Sequence, residues 1–405
     1  MNILLFNQYF PPDTSATAKM AASVATALSQ RHKVTVLAGR PSYDPDEHYP
    51  FSLLRREERS GITVERVGST AYPRHKMRRR LVNYLSYVSL AAPRALAIKA
   101  DIVVSMTDPP FAGIVGAAIA RLKRLPFVYN IRDLYPDMAI GGDIVQPKAW
   151  VGTWEKMHRA ALRQAARVIV LGEDMRERVV SKGVHPGRVV VIRDGTPLPA
   201  PAAPADHPAI REIRGSAEFV VLHAGNLGFY GAWPTLLNAA KALPQNGIRI
   251  IFVGDGANRK QLEESSQGCP VVRFLSFRPA SEIPCVMAAG DVHMVTIRRG
   301  LGGVVVPSKM YSILAAGKPI LAVAPEDTDV ARIVRREDCG MVADPDRPEE
   351  VAEAIQTLKS DPTRLKAMGR RARKAAEKYT STNELEKFTR VVEEAAHSNA
   401  GQRHR

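Results

Sequence analysis

At 405 residues the chain exceeds what one hydrophobic core ordinarily organises, and domains of ~100–200 residues imply two of them. Apolar residues make up 45% and charged residues 24%, a globular balance that excludes wholesale disorder, and no apolar run reaches the ~20 residues of a membrane-spanning helix. The formal charge of +16 calls for an anionic partner: nucleic acid, a membrane surface or a phosphorylated ligand.

The opening Met1-Asn2-Ile3-Leu4-Leu5-Phe6-Asn7 has neither a basic leader nor a small-residue cleavage site, so it reads as a first strand and a cytoplasmic protein is expected. The apolar run 3–6 is broken by Pro11-Pro12-Asp13, residues 18–28 take helical spacing, and a second run covers 34–37; this is a βαβ unit. Further β-type runs at 102–104, 127–131 and 168–171 are each separated by a helix-forming stretch, which predicts a parallel sheet. After a run at 189–192, Pro197, Pro199, Pro201, Pro204 and Pro208 crowd together, and residues 195–214 are placed as a linker between a first domain, 1–194, and a second, 215–378.

The β/α rhythm restarts at 219–222 and continues through a helix at 234–243 and runs at 248–253, 271–274, 292–296, 320–323 and 340–342. Terminal helices are expected from 347 to about 397, the last of them 379–396, with a frayed tail at 397–405. The fold class is therefore α/β, two doubly wound domains, and ligands of such sheets bind at the carboxyl ends of the strands; function is expected in a cleft between the domains. Cys269, Cys285 and Cys339 lack C-x-x-C spacing, so neither a disulfide framework nor a zinc site is suggested and they read as buried thiols.

Three constellations carry chemistry. Gly225-Asn226-Leu227-Gly228 follows the run 219–222 and precedes a helix, where glycine lets backbone N–H groups approach an anion; tight packing demands such a turn too. It lacks the lysine of a Walker loop and the G-x-G-x-x-G pattern, which counts against an ATPase and a dehydrogenase. A second loop runs from Gly300 to Tyr311, with Ser308 and Lys309 at a helix start; hydroxyl, ammonium and backbone donors there suit a diphosphate, while Ser308 as a plain N-cap and Lys309 as a solvated side chain remain the alternative. In the first domain Arg132 and Asp133 end the run 127–131 and Asp108 follows 102–104, so a guanidinium and carboxylates face the expected cleft; Asp133 as a helix cap is the other reading.

A basic stretch, Arg74, Lys76, Arg78, Arg79 and Arg80, runs into Leu81, Tyr84, Leu85, Val88 and Leu90. A basic cluster on an amphipathic helix suits an anionic membrane surface, with Arg78, Arg79 and Arg80 as the contact residues; the same helix can instead bury its apolar face at home. No nucleic-acid motif accompanies the charge, so nucleic acid is not expected.

Together Gln8-Tyr9-Phe10-Pro11-Pro12-Asp13-Thr14-Ser15-Ala16-Thr17, Arg40-Pro41-Ser42-Tyr43-Asp44, Thr107-Asp108-Pro109-Pro110, Arg132-Asp133-Leu134-Tyr135-Pro136, Gly225-Asn226-Leu227-Gly228 and Val306-Pro307-Ser308-Lys309-Met310-Tyr311 through Gly317-Lys318-Pro319 resemble glycosyltransferase family 4. The likeness is nearest to the bacterial branch that builds surface polysaccharides, often from nucleotide-linked N-acetylated aminosugars. The resemblance implies a GT-B fold of two Rossmann-like domains, the nucleotide sugar held by the second and the acceptor by the first. It also implies retention of configuration, no metal cofactor, and a last helix that crosses back to the first domain.

On that resemblance Asp133 and Lys309 are the catalytic candidates. Gly225, Asn226, Gly228, Phe277, Arg298, Ser308, Lys309 and Tyr311 are the donor-side candidates, and Thr14, Ser15, Asp108 and Arg132 lie on the acceptor or sugar side. Two departures stand out. The spaced glutamates of the wider family have Gly302 or Gly303 and Ser312 as counterparts, and its Arg and Lys after the first glycine of the second domain are replaced by Asn226 and Phe229-Tyr230-Gly231-Ala232-Trp233. Lys309, with Arg298 or Arg299, is the local substitute.

The expected activity is transfer of a sugar, an N-acetylated hexosamine, from UDP to a lipid-linked or polysaccharide precursor at the inner face of the plasma membrane. A non-hydrolysing sugar-nucleotide epimerase and a catalytically silent nucleotide-sugar scaffold are the rivals.

Overall fold

Two stretches of alternating strand and helix fold as separate units, one of residues 1–136, 146–192 and 383 onward, the other of 137–145 and 193–382. The computed structural model describes residues 1–42, 49–72, 77–146, 148–200, 202–204, 206–245 and 247–400, without the side chains of 77, 78 and 398–400. Tyr43, Asp44, Arg74, Lys76, the side chain of Arg78 and the end of the tail lie outside the described residues.

The first unit opens with β1 (Asn2–Phe6), α1 (Ala16–Ser29) and β2 (Lys33–Gly39), then the hairpin of β3 (Leu54–Arg59) and β4 (Ile62–Val67). It continues through α2 (Met77–Ala97), β5 (Ile102–Ser105), α3 (Ala112–Lys123) and β6 (Phe127–Asn130). A short excursion, α4 (Asp137–Gly141), belongs to the other unit, and α5 (Ala149–Gln164), β7 (Arg167–Val170), α6 (Glu173–Ser181) and β8 (Val189–Val191) complete the alternation. The sheet runs β3-β4-β2-β1-β5-β6-β7-β8, with only the β3 pairing antiparallel. The chain lays strands outward from β1 in one direction and then in the other, so the switch point lies between β1 and β5. Helices cover both faces, and Leu4, Leu5, Val36, Val103, Val104 and Val128 are accordingly shut off from solvent.

The hairpin is absent from the sequence-based expectations because β3, Leu-Arg-Arg-Glu-Glu-Arg, is a charged edge strand without apolar alternation. Its turn has positive φ at Ser60 (50°) and Gly61 (78°), the backbone a two-residue hairpin requires.

The second unit contains α7 (Pro208–Arg214), β9 (Phe219–Ala224), α8 (Trp233–Ala242), β10 (Ile248–Val253), α9 (Arg259–Ser265), β11 (Val272–Leu275) and α10 (Ile283–Ala289). Then come β12 (Val292–Thr296), α11 (Lys309–Ala315), β13 (Ile320–Val323), α12 (Asp329–Arg336), β14 (Gly340–Ala343), α13 (Pro348–Ser360) and α14 (Pro362–Ala376). Its parallel sheet is ordered β11-β10-β9-β12-β13-β14, a doubly wound order whose switch point lies between β9 and β12.

The expected linker at 195–214 is partly structured. Pro208 opens α7, a first-turn position that tolerates proline, and Ala209, Ile210 and Ile213 are buried with Val220, Leu222 and Val286. The last helix, α15 (Ser381–Ala400), begins two residues later than expected. Its Phe388, Val391, Val392 and Ala395 join the core of the first unit with Ile3, Leu5, Val24 and Leu28. Tyr379, placed in that helix by the sequence, is instead buried in the second unit, its ring 5.6 Å from that of Tyr311.

Candidate functional site

At the carboxyl edge of the second sheet the loops after β9 and β10 are pressed together. Gly225 N donates to Val253 O at 2.8 Å and Leu227 N to Asp255 O at 2.8 Å. Gly254 (φ +144°) is required by this approach, since a Cβ there would lie 2.1 Å from Gly225 O. The indole N–H of Trp233 donates to Gly228 O at 2.6 Å, Asn258 Nδ2 to the same oxygen at 2.9 Å, and the Tyr230 hydroxyl to Asn226 O at 2.6 Å. The turn 225–230 is thus fixed by its carbonyls, with Asn226 exposed.

Lys309, the first residue of α11, reaches this turn. Its Nζ is 3.3 Å from the position a Cβ on Gly225 would take, and 2.9 Å from Nε2 of His223 on β9. Burial pushes the ammonium down to about 7, and burial followed by the charge of Lys309 holds His223 well below the usual imidazole range. Ser308 precedes Lys309 at the N-cap position, exposed and making no capping bond through its hydroxyl. Ser312, one turn beyond Lys309 on the same helix face, is also exposed.

Arg298 follows β12; its backbone N–H donates to Tyr230 O at 2.7 Å and its guanidinium to Asp143 Oδ2 at 2.5 Å. A cavity of about 760 Å³ lined by Phe229, Trp233, Asn258, Arg298 and Asp143 opens beside the turn. Arg299 lines the same cavity but is bound to Asp344 and Asp346, while Arg298 is tied to the turn through its backbone N–H. Phe277, in the loop after β11, is 73% exposed.

Tyr311 is a correction: it is 1% exposed and packs against Tyr379, and burial first, then Asp329, pushes its phenol up against the opposing charge of Arg193. Two positions along a helix turn the side chain by roughly 200°, so with Lys309 facing the turn Tyr311 faces the core.

In the first unit the loops after β1, β5 and β6 are tied at the sheet's carboxyl edge. Gln8 N donates to Asp108 O at 2.8 Å, and Arg132 N to Thr107 Oγ1 at 3.3 Å. Asp108, Arg132 and Asp133 are half-buried and Thr14 is exposed. The buried phenol of Tyr135 is pushed up by desolvation first, then by Asp133, Tyr84 and Asp108, with Arg80 opposing, so these groups share one neighbourhood.

Ser15 is a second correction, because its hydroxyl accepts from Ala18 N at 3.0 Å as the N-cap of α1 and is 6% exposed. Arg80 is a third. It turns inward, bonded to the Tyr84 hydroxyl and lying over that ring at 5.3 Å, and so does not share the exposed position of Arg79 that the sequence led one to expect.

His223 and an aromatic stack were not anticipated, and Arg80 was expected at a membrane surface and not beside Tyr84. Tyr135 stacks on Trp154 at 5.8 Å and Trp154 on Trp150 at 6.1 Å, leaving Trp150 half exposed. A histidine inside an apolar β-run carries no local signal of its partner. Among the described residues no group of three or more His, Cys, Asp or Glu is placed to hold a metal ion, and no helix is long and apolar enough to cross a membrane.

Comparison with known proteins agrees with this architecture. Residues 15–195 match the glycosyl transferase 4-like domain and residues 207–375 match glycosyl transferases group 1. WbjE of Pseudomonas aeruginosa, named as a glycosyltransferase, is 26% identical over 73% of this chain and 75% of its own length. WcaI of Escherichia coli K12, named for colanic acid biosynthesis, is 24% identical over 82% of this chain and 86% of its own. Among solved structures, HepE of Anabaena in complex with UDP superposes with a TM-score of 0.70 at 19% identity, covering 97% of this chain and 100% of that one. WaaG, a glycosyltransferase of lipopolysaccharide biosynthesis, gives 0.67 at 17%, covering 97% and 99%. With both domains matched in order on two doubly wound units, the chain belongs to the family-4-like glycosyltransferases of GT-B fold.

Proposed function

We propose that the protein transfers a sugar, an N-acetylated hexosamine, with retention of configuration from UDP to a lipid-linked or polysaccharide precursor in bacterial cell-surface glycan synthesis. The observation that carries this reading is the Lys309 ammonium set against the Gly225 turn. As the glycosidic C–O bond breaks, negative charge grows on the departing diphosphate; preorganised donors aimed at that charge lower the barrier. Lys309, the N–H groups of Asn226 and Gly228 and the Ser308 hydroxyl are those donors, the N–H groups of Gly225 and Leu227 being engaged by Val253 O and Asp255 O, and Phe277 offers an open ring for the base.

Arg298 joins them only if it exchanges Asp143 for phosphate. On the acceptor side, Asp133 orients the incoming hydroxyl with Asp108, Arg132 and Thr14 nearby. HepE, crystallised with UDP, WcaI, named for colanic acid biosynthesis, and WaaG, named for lipopolysaccharide biosynthesis, support the choice of donor and pathway class. No metal is assigned in this reading: Lys309 and main-chain donors carry the leaving group's charge. Arg79, with exposed Leu81, Val82 and Leu85 on α2, forms a peripheral contact with anionic membrane.

The decisive experiment is a thermal-shift screen of UDP-, GDP- and dTDP-sugars followed by transfer assays on lipid-linked acceptors. A ligand bound only by the folded form raises the melting point, and UDP-linked sugars are expected to do so most. Preference for GDP or dTDP would overturn the donor assignment. Donor binding with neither transfer nor slow hydrolysis would favour the silent scaffold, and a new epimer formed without acceptor would favour the epimerase. EDTA is expected to leave the rate unchanged.

A further inference from the structure

The contact between Lys309 and His223 asks for more than a lysine near phosphate. His223 is fully buried on β9, its ring 5.0 Å from Trp233 in an edge-on contact and 6.0 Å from Phe252, so it cannot turn to solvent. Its Nε2 meets Lys309 Nζ at 2.9 Å. While Lys309 is protonated its ammonium has only donors, so Nε2 then presents its lone pair and the neutral ring carries its proton on Nδ1, an atom with no hydrogen-bond partner among the described residues.

We propose that His223 is a positioning residue for the leaving diphosphate: its buried imidazole holds the Lys309 side chain against the Gly225 turn and releases it to the diphosphate, which binds together with one proton. This rests on the donor-site reading above.

The surroundings decide the direction of the linkage. His293 on β12 faces the pair and is itself held down to about 4, by burial first, while Met287 O accepts from its Nε2 at 2.9 Å. The neighbouring α8 and β10 contribute the rings of Trp233 and Phe252, and the backbones of Asn226 and Met294 favour a proton on His223. Burial is the cause of the displacement of Lys309, to about 7; among the described residues no carboxylate offsets it.

Above that pH the free enzyme holds a neutral amine. A diphosphate raises the amine's proton affinity, so binding takes up a proton and weakens as pH rises past about 7, by up to ~10-fold per pH unit. The proton comes from solvent onto Nζ, and His223 stays neutral throughout.

The test is calorimetric titration of UDP into the full chain from pH 6 to 9, in buffers of different ionisation enthalpy. Wild type is expected to take up almost no proton at pH 6 and close to one at pH 8, and Lys309→Met to lose the uptake. His223→Leu, which leaves the ammonium without its acceptor, is expected to bind UDP roughly 10-fold more weakly and to begin taking up protons at lower pH. His223→Gln, which restores an acceptor of similar reach, should recover both. His223→Asn, too short to meet Nζ, serves as a second variant should the leucine variant fail to fold, and is expected to behave like it.

A loss of affinity equal at every pH would mark His223 as merely structural and overturn the proposal, as would wild-type affinity and proton uptake in both His223→Leu and His223→Asn. Failure of the wild type to bind UDP, GDP or dTDP at any pH would instead remove the donor-site reading beneath it.

Discussion

The Lys309 side chain concentrates the chemistry of the second domain at one atom. With Nζ beside the Gly225 turn, Lys309→Ala is expected to lower turnover by about two orders of magnitude, the scale on which one charge-stabilising donor acts; steady-state kinetics with saturating donor checks this. Gly254 is its geometric counterpart. An alanine there would drive its Cβ to 2.1 Å from Gly225 O at a φ of +144°, so Gly254→Ala should abolish the UDP-induced rise in melting temperature. The corrections at this scale share a cause: Tyr311 and Ser15 carry functional groups suited to a ligand, but helix phase sends one into the core and capping engages the other.

At the level of elements, strands and helices place the loops, and specific ties keep them there. Buried Glu65 on β4 accepts from Arg94 on α2 at 2.6 and 2.8 Å, fixing α2 against the first sheet. Glu65→Ala removes two hydrogen bonds between charged groups, with part-exposed Arg94 free to turn to water, and the expected cost is about 1.5 kcal/mol, read as a lower denaturant midpoint.

The outer side of α2 is different. Arg79, Leu81, Val82 and Leu85 are exposed, and the paired change Arg79→Ser with Leu85→Asp should reduce pelleting with anionic vesicles while leaving the UDP thermal shift intact. Unchanged pelleting would remove α2 as the membrane contact. Because Arg80 turns inward to Tyr84, its replacement belongs to acceptor-side assays, not to vesicle binding.

Over the whole molecule, the two units have their own cores, yet the first is not continuous in sequence. Phe388, Val391, Val392 and Ala395 of α15 pack with Ile3, Leu5 and Val24, and Glu386 and Glu393 bond Arg31 and His32, each at 2.9 Å. A chain ending at Thr382 would lay that core open. It is expected to aggregate or to bind a hydrophobic dye, since full burial of each such side chain is worth about 1.5–3 kcal/mol. The intact protein should retain a UDP-responsive unfolding transition that the truncation shifts far less than it shifts the first unit's.

What the sequence by itself determined follows from local periodicity and backbone chemistry. Aliphatic runs alternating with helical spacing specify two parallel sheets, and Gly225-Asn226-Leu227-Gly228 and Ser308-Lys309 mark strand-to-helix junctions, because these signals lie within a few residues of one another. Charged β3 and the proline-led α7 escaped that logic: one is an edge strand with nothing to bury, and the other hides its apolar face behind a residue that usually reads as a break. Only the tertiary structure decided which side chains meet. His223 and Lys309 are 86 positions apart, the segment holding Asp143 crosses into the second unit to reach Arg298, and Arg80 turns to Tyr84 and away from solvent. Such contacts are set by helix phase, sheet order and burial, which are properties of the packed chain and not of any window along it.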